Sequence, residues 1–143
     1  MTFVRERSAG YMTNWAARLL ARAIDRRLKE HGLSSGHLPV FFALGDGKAM
    51  TQKALAAAAA IEQPTMAATL SRMERDGLVR RAPDPKDKRS ALVSLTPAAL
   101  ARVPAVRAAV DAVNRQALSG LSEAERDAYL AMLARMVAAL ENA

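Results

Sequence analysis

The chain has no cysteine, which excludes disulfides, thiolate metal sites and thiol-based redox sensing. Aromatic residues are scarce, at 4% against 51% apolar residues overall. An interior built from Ala, Leu, Val and Met favours closely packed helices over a sandwich. Long hydrophobic runs are missing too. No stretch reaches the roughly 18 apolar residues a membrane span needs, and Met1-Thr2-Phe3-Val4-Arg5-Glu6-Arg7 lacks the apolar core of a secretory signal. The expectation is a cytoplasmic protein without membrane contact. There is no glycine-rich phosphate loop, and His31 and His37 straddle an interhelix turn without a paired carboxylate motif, so neither an enzyme nor a metal site is expected.

With 143 residues the chain has the length of one compact unit. Its formal charge is +7, and the excess is localised. Met1 to Leu95 carries 16 Lys and Arg against 9 Asp and Glu, whereas Thr96 to Ala143 carries 5 of each. A basic surface attracts polyanions, but an arginine-rich solvated helix surface has the same composition.

Apolar residues Met12, Trp15, Ala16, Leu19, Leu20, Ala23, Ile24 and Leu28 recur at steps of three and four, which predicts a long first helix from Tyr11 to Leu28. Gly32 ends it. Ser34 or Ser35 is positioned to cap a second helix carrying Val40, Phe41 and Leu44, with Pro39 in its first turn and Gly45-Asp46-Gly47 as its stop. Thr51 caps a third helix running into Ala56–Ala60, and Glu62-Gln63-Pro64-Thr65 opens a fourth that ends at Asp76-Gly77. Leu78–Arg81 and Ala91–Leu95 read as strands separated by a long basic loop. Thr96-Pro97 starts a helix to about Leu118 that Pro104 is expected to kink, Gly120 breaks the chain, and Ser122 with Glu125 forms the capping box of a last helix. That helix has Leu130, Leu133, Met136, Val137 and Leu140 on its apolar face.

Two short helices joined by a tight turn and followed by a basic hairpin form a device for reading duplex DNA. On the fourth helix, Met66, Leu70 and Met73 share one face, while Pro64, Thr65, Ala68, Ser71, Arg72 and Arg75 lie round the other side. Gln63 and Thr65 sit near the helix N-terminus, where base edges and phosphates are both within their chemistry. Arg72 and Arg75 suit guanine or phosphate.

Asp84-Pro85-Lys86-Asp87-Lys88-Arg89, followed by Leu92-Val93-Ser94-Leu95-Thr96, resembles the MarR (multiple-antibiotic-resistance regulator) family. The wing of that family carries Asp-Pro-x-Asp-x-Arg and then a strand ending in Leu-Thr. The similarity extends back through Glu62-Gln63-Pro64-Thr65-Met66 and Arg72-Met73-Glu74-Arg75-Asp76-Gly77-Leu78-Val79, covering roughly residues 51–96. It implies a mainly α winged helix-turn-helix with a small β-hairpin wing. Residues 34–96 would read DNA, and 8–31 and 97–141 would form dimerisation helices within one unit of 1–143. Arg89 would be the wing-tip arginine of the minor groove, oriented by Asp87, with Lys86 and Lys88 following phosphates. A local loop-stabilising pair is the alternative for Asp87 and Arg89. The sequence departs from the family at Ala60, where the turn usually carries Gly, at Ala57 and Ala58, often polar in relatives, and at Pro97-Ala98-Ala99, which lacks a glycine.

The implied function is a sequence-specific, ligand-responsive repressor acting as a homodimer on a pseudo-palindromic operator. The alternative is a winged-helix module for protein interaction or RNA. No cofactor is expected. A small aromatic or anionic effector is implied, with Trp15, Leu19, His37 and Phe41 as pocket candidates and Arg18 or Arg22 as anion partners. Core positions for Trp15 and Phe41 and surface positions for the arginines are the competing reading.

Overall fold

A computed structural model describes residues 2–142. The elements in chain order are α1 (Ala9–Leu28), α2 (Leu38–Leu44), β1 (Met50–Thr51), α3 (Gln52–Ala59), α4 (Gln63–Arg75), β2 (Val79–Asp84), β3 (Asp87–Leu95), α5 (Pro97–Leu100), α6 (Val103–Ala117) and α7 (Glu123–Glu141). Short 3-10 turns at Lys29–His31 and Ser35–His37 join α1 to α2. No described helix is long and apolar enough to cross a membrane.

Helix α1 starts at Ala9 because Ser8 caps it, its side chain accepting from the Tyr11 N–H at 3.1 Å. Ser34 precedes a 3-10 turn rather than capping α2 directly; its N–H donates to His37 Nδ1 at 2.9 Å. Thr51 and Ser122 take the N-cap positions expected of them. In the last helix the Ser122 N–H donates to Glu125 Oε1 at 2.8 Å, and the Glu125 N–H donates to Ser122 Oγ at 3.2 Å. These hydrogen bonds hold the Glu125 carboxyl below its ordinary value.

Three elements differ from expectation. The strand β1 is invisible to pattern reading, being two residues that become a strand only by pairing, Met50 with Val93 and Thr51 with Leu92. The sheet is antiparallel in the order β1-β3-β2, which leaves β2 at an edge, where Pro83 is tolerated. The hairpin is longer than predicted, because Ala82 pairs with Leu92 and Pro83 with Ala91, leaving only Pro85 and Lys86 between the strands. Asp84 accepts from the Lys86 N–H at 2.9 Å and Asp87 from the Arg89 N–H at 3.0 Å, so two aspartates shape the tip. Finally, Pro104 does not kink a continuous helix. The chain breaks after Leu100, and Pro104 sits in the first turn of α6, where its missing N–H costs nothing.

The core runs through α1 to α4, the sheet and α6. Leu28, Val40, Leu44, Leu70, Met73 and Val93 are fully buried, and Val106, Ala109 and Val113 bring α6 onto the same cluster. Helix α7 contributes no buried residue and exposes Leu130, Met132, Val137 and Leu140. Tyr11, Met12 and Leu19 are exposed on α1.

Ala60 ends α3 at φ +53°, the one non-glycine residue with positive φ among those described. The turn holds it there: Ala60 N–H bonds the Ala57 carbonyl at 3.2 Å and Ile61 N–H bonds Ala56 at 3.0 Å. A Cβ in this region costs about 1 to 2 kcal/mol, part of which Gly returns as unfolded-state entropy. Ala60→Gly is therefore expected to stabilise by about 0.5 to 1 kcal/mol, raising Tm by about 2 to 4 °C in a thermal melt. A lower Tm would mean that this turn is not held left-handed in solution.

Candidate nucleic-acid interface

Helices α3 and α4 pack as a pair across the Ala60 turn, and α4 turns one face inward. Met66, Leu70 and Met73 are buried, whereas Gln63, Pro64, Thr65, Ala68, Ser71, Arg72 and Arg75 are exposed. The division follows from 100° per residue: a helix with three apolar anchors at steps of four and three leaves the opposite arc free. Pro64 lies in the first turn, and the free N–H groups there face outward with the partial positive charge of a helix start. Arg72 has only a long contact to Thr69 Oγ1, 3.5 Å, and Arg75 a loose pair with Asp76 at 3.4 Å. Both guanidiniums are available to a ligand.

The second half is the hairpin tip. The Arg89 side chain is 93% exposed, yet it is not unrestrained: Asp87 Oδ1 lies 3.4 Å from its Nε while also accepting from its backbone N–H. One carboxylate thus orients both ends of the arginine. Lys86 and Lys88 are exposed beside it. The sequence reading missed Arg81, whose Nε pairs with Glu74 at 3.5 Å and ties β2 to the surface of α4. The adjacent basic residues Arg80-Arg81 were the available signal, but only the fold shows which one faces α4.

The six residues considered for an effector pocket are not brought together. Phe41 is in the core and borders a cleft of about 410 Å³ between α2 and α6, with Phe42, Val103, Val106 and Val110 as further apolar wall and Asp46, Arg107 and Asp111 as charged lining. Trp15 is half-buried on α1, with the Arg5 guanidinium 4.3 Å above its ring and Tyr11 edge-on at 6.3 Å. Arg18, Arg22 and Leu19 are exposed on the same helix. His37 is half-buried in the turn before α2. Burial pushes its imidazole below the ordinary value, Asp76 opposes that shift and Arg72 reinforces it. Its charged neighbours thus belong to the end of α4 rather than to the cleft.

An apolar-backed helix with a polar, cationic outer face, preceded by a capped partner helix and followed by a basic hairpin, defines a winged helix-turn-helix DNA-binding protein. The MarR family profile matches residues 31–90. The transcriptional repressor NicR of Pseudomonas putida is 31% identical over 111 residues, covering 78% of this chain and 70% of NicR. Among solved structures, BpsR of Bordetella bronchiseptica, whose DNA binding is regulated by 6-hydroxynicotinic acid, superimposes with a TM-score of 0.85 at 25% identity, covering 96% of this chain and 98% of that one. MepR of S. aureus, solved as a complex with DNA, gives 0.81 at 27% identity, with 93% and 98% covered. The chain belongs to the MarR family and is a DNA-binding transcription regulator.

Proposed function

We propose that this protein is a ligand-responsive repressor that grips a pseudo-palindromic operator as a homodimer, acting by binding and not by catalysis, in the cytoplasm. The observation that carries the reading is the pairing of an exposed reading face on α4 with a wing arginine that is almost fully exposed and still held by Asp87. In this division of labour residues 34–96 read DNA, with Gln63, Thr65, Ala68 and Arg72 toward the major groove and Arg89 in the minor groove. Arg75, Lys86 and Lys88 meet phosphates.

Residues 8–31 and 97–141 hold the two copies together. Support comes from α7, which buries nothing within its own chain and exposes Leu130, Met132, Val137 and Leu140, and from Tyr11, Met12 and Leu19 on α1. An apolar surface of this kind is stable in water when a second copy covers it. For the effector, the α2–α6 cleft is the best supported site, its phenylalanine and valine walls suited to a small aromatic molecule and Arg107 to an anionic group on it.

The rival reading is an RNA-binding winged helix. A-form RNA has a deep, narrow major groove that admits no reading helix. A duplex DNA and the RNA duplex of matching sequence, competing for the protein at moderate salt, are expected to separate by about tenfold or more in favour of DNA. Equal affinity would contradict the proposal.

A further inference from the structure

The Leu-Thr that closes the wing is a junction as well as a strand end. Thr96 is the N-cap of α5, its Oγ accepting from the Ala99 N–H at 3.2 Å. The same hydroxyl donates its proton to the Gly77 carbonyl at 2.6 Å, and the Thr96 N–H donates to the Leu78 carbonyl at 3.0 Å. Gly77 and Leu78 form the turn that ends α4. Gly77 has φ +74°, its N–H bonds the Glu74 carbonyl at 3.1 Å, and the Leu78 N–H bonds Met73 at 2.8 Å. This is a Schellman closure of the reading helix. Thr96 therefore bonds at once to the end of the reading helix and to the start of the C-terminal helices, across the base of the hairpin where Val79 pairs with Leu95.

We propose that Thr96 is a positioning residue for operator recognition: by pinning the last turn of α4 to the first turn of α5, it fixes the angle at which the two reading helices of a dimer meet successive turns of DNA. The inference rests on the dimeric reading above and adds the device that sets its geometry. The lever arm is long. Helix α4 has 13 residues and a length of about 20 Å, so a tilt of about 10° at the pinned end moves Gln63 and Thr65 by roughly 3 Å at the other. That displacement is comparable to one base step, enough to misplace every base contact.

The hydroxyl's two roles can be separated chemically. Thr96→Ser keeps the cap acceptor and the donor, Thr96→Asp keeps the acceptor and loses the donor, and Thr96→Val loses both. The probes are a duplex selected by the wild-type protein from a random-sequence library and the same duplex with one base pair inserted between its half-sites. Affinities are measured alongside thermal unfolding. Thr96→Ser is expected to match the wild type in affinity and in preference for the selected spacing. Thr96→Asp and Thr96→Val are expected to bind the selected duplex about tenfold more weakly, the size of one hydrogen bond, and to lose most of their discrimination against the respaced one. Should Thr96→Asp bind and discriminate like the wild type, or should every loss match the unfolded fraction with spacing preference intact, Thr96 is a cap and nothing more. If the wild type selects only a single half-site, the dimeric reading fails and the proposal falls with it.

Discussion

Leu70→Ala is expected to cost the fold about 2 to 5 kcal/mol, while Arg72→Ala, two positions along the same helix, changes stability by about 0.5 kcal/mol or less. Leu70 is fully buried between α4 and the rest of the core. Removing its branched end leaves a cavity that helices anchored by Met66 and Met73 cannot close. Arg72 is exposed and the one hydrogen bond of its side chain, to Thr69, is at the limit of such a bond, so its loss leaves the fold intact. In DNA binding the order reverses. Arg72→Ala, still folded, is expected to lose affinity for the operator by about 1 to 3 kcal/mol if it contacts a base. Thermal melts and operator titrations on the two variants test the orientation of α4 whatever the operator sequence is. A destabilised Arg72→Ala beside a stable, non-binding Leu70→Ala would place the reading face on the wrong side.

The second large effect belongs to the wing. Arg89→Ala is expected to weaken operator binding by about 1 to 3 kcal/mol and to do so most at sites with A·T-rich flanks, where a narrow minor groove concentrates negative potential. Lys86→Ala should weaken all sequences alike and lower the salt slope by about one, as expected for a single phosphate contact. Asp87→Ala should reproduce part of the Arg89 loss, because Asp87 holds both the backbone N–H and the guanidinium of that arginine. An unheld side chain must be ordered at the moment of binding. Titrations at several salt concentrations separate the three variants. Unchanged binding in both Arg89→Ala and Lys86→Ala would remove the wing from the interface.

What the sequence made legible was local. The inward face of α4, the Ser122–Glu125 capping box, Thr51 and Thr96 as caps and Gly77 as the left-handed end of a helix each depend on a few neighbouring residues, and the structure places each accordingly. What depended on distant partners was not legible. Met50-Thr51 is a strand only because Val93 and Leu92 lie beside it. The hairpin runs further than the long basic loop read from the sequence, because Asp84 and Asp87 turn the chain tightly at its tip. The pocket candidates illustrate the limit most clearly. Trp15 and Leu19 share an apolar stripe with Ile24 and Leu28, yet the stripe divides in space: Ile24 and Leu28 are buried, Leu19 is exposed, and Trp15 lies under Arg5. Helical periodicity identifies an apolar face but not what covers it. For the α2–α6 cleft, the signal was Phe41-Phe42 together with the valines of α6, which lie far apart in the sequence and converge only in the fold.

The central claim is that two copies of this chain read duplex DNA together, each with α4 in the major groove and Arg89 in the minor groove. Hydroxyl-radical footprinting of a selected duplex, with the stoichiometry of the same complex measured by sedimentation, tests it most directly. The account predicts two chains per duplex, two related protected segments centred about one helical turn apart and added minor-groove protection on the flanks. One chain bound at full affinity to a single half-site, with no protection beyond it, would contradict the account.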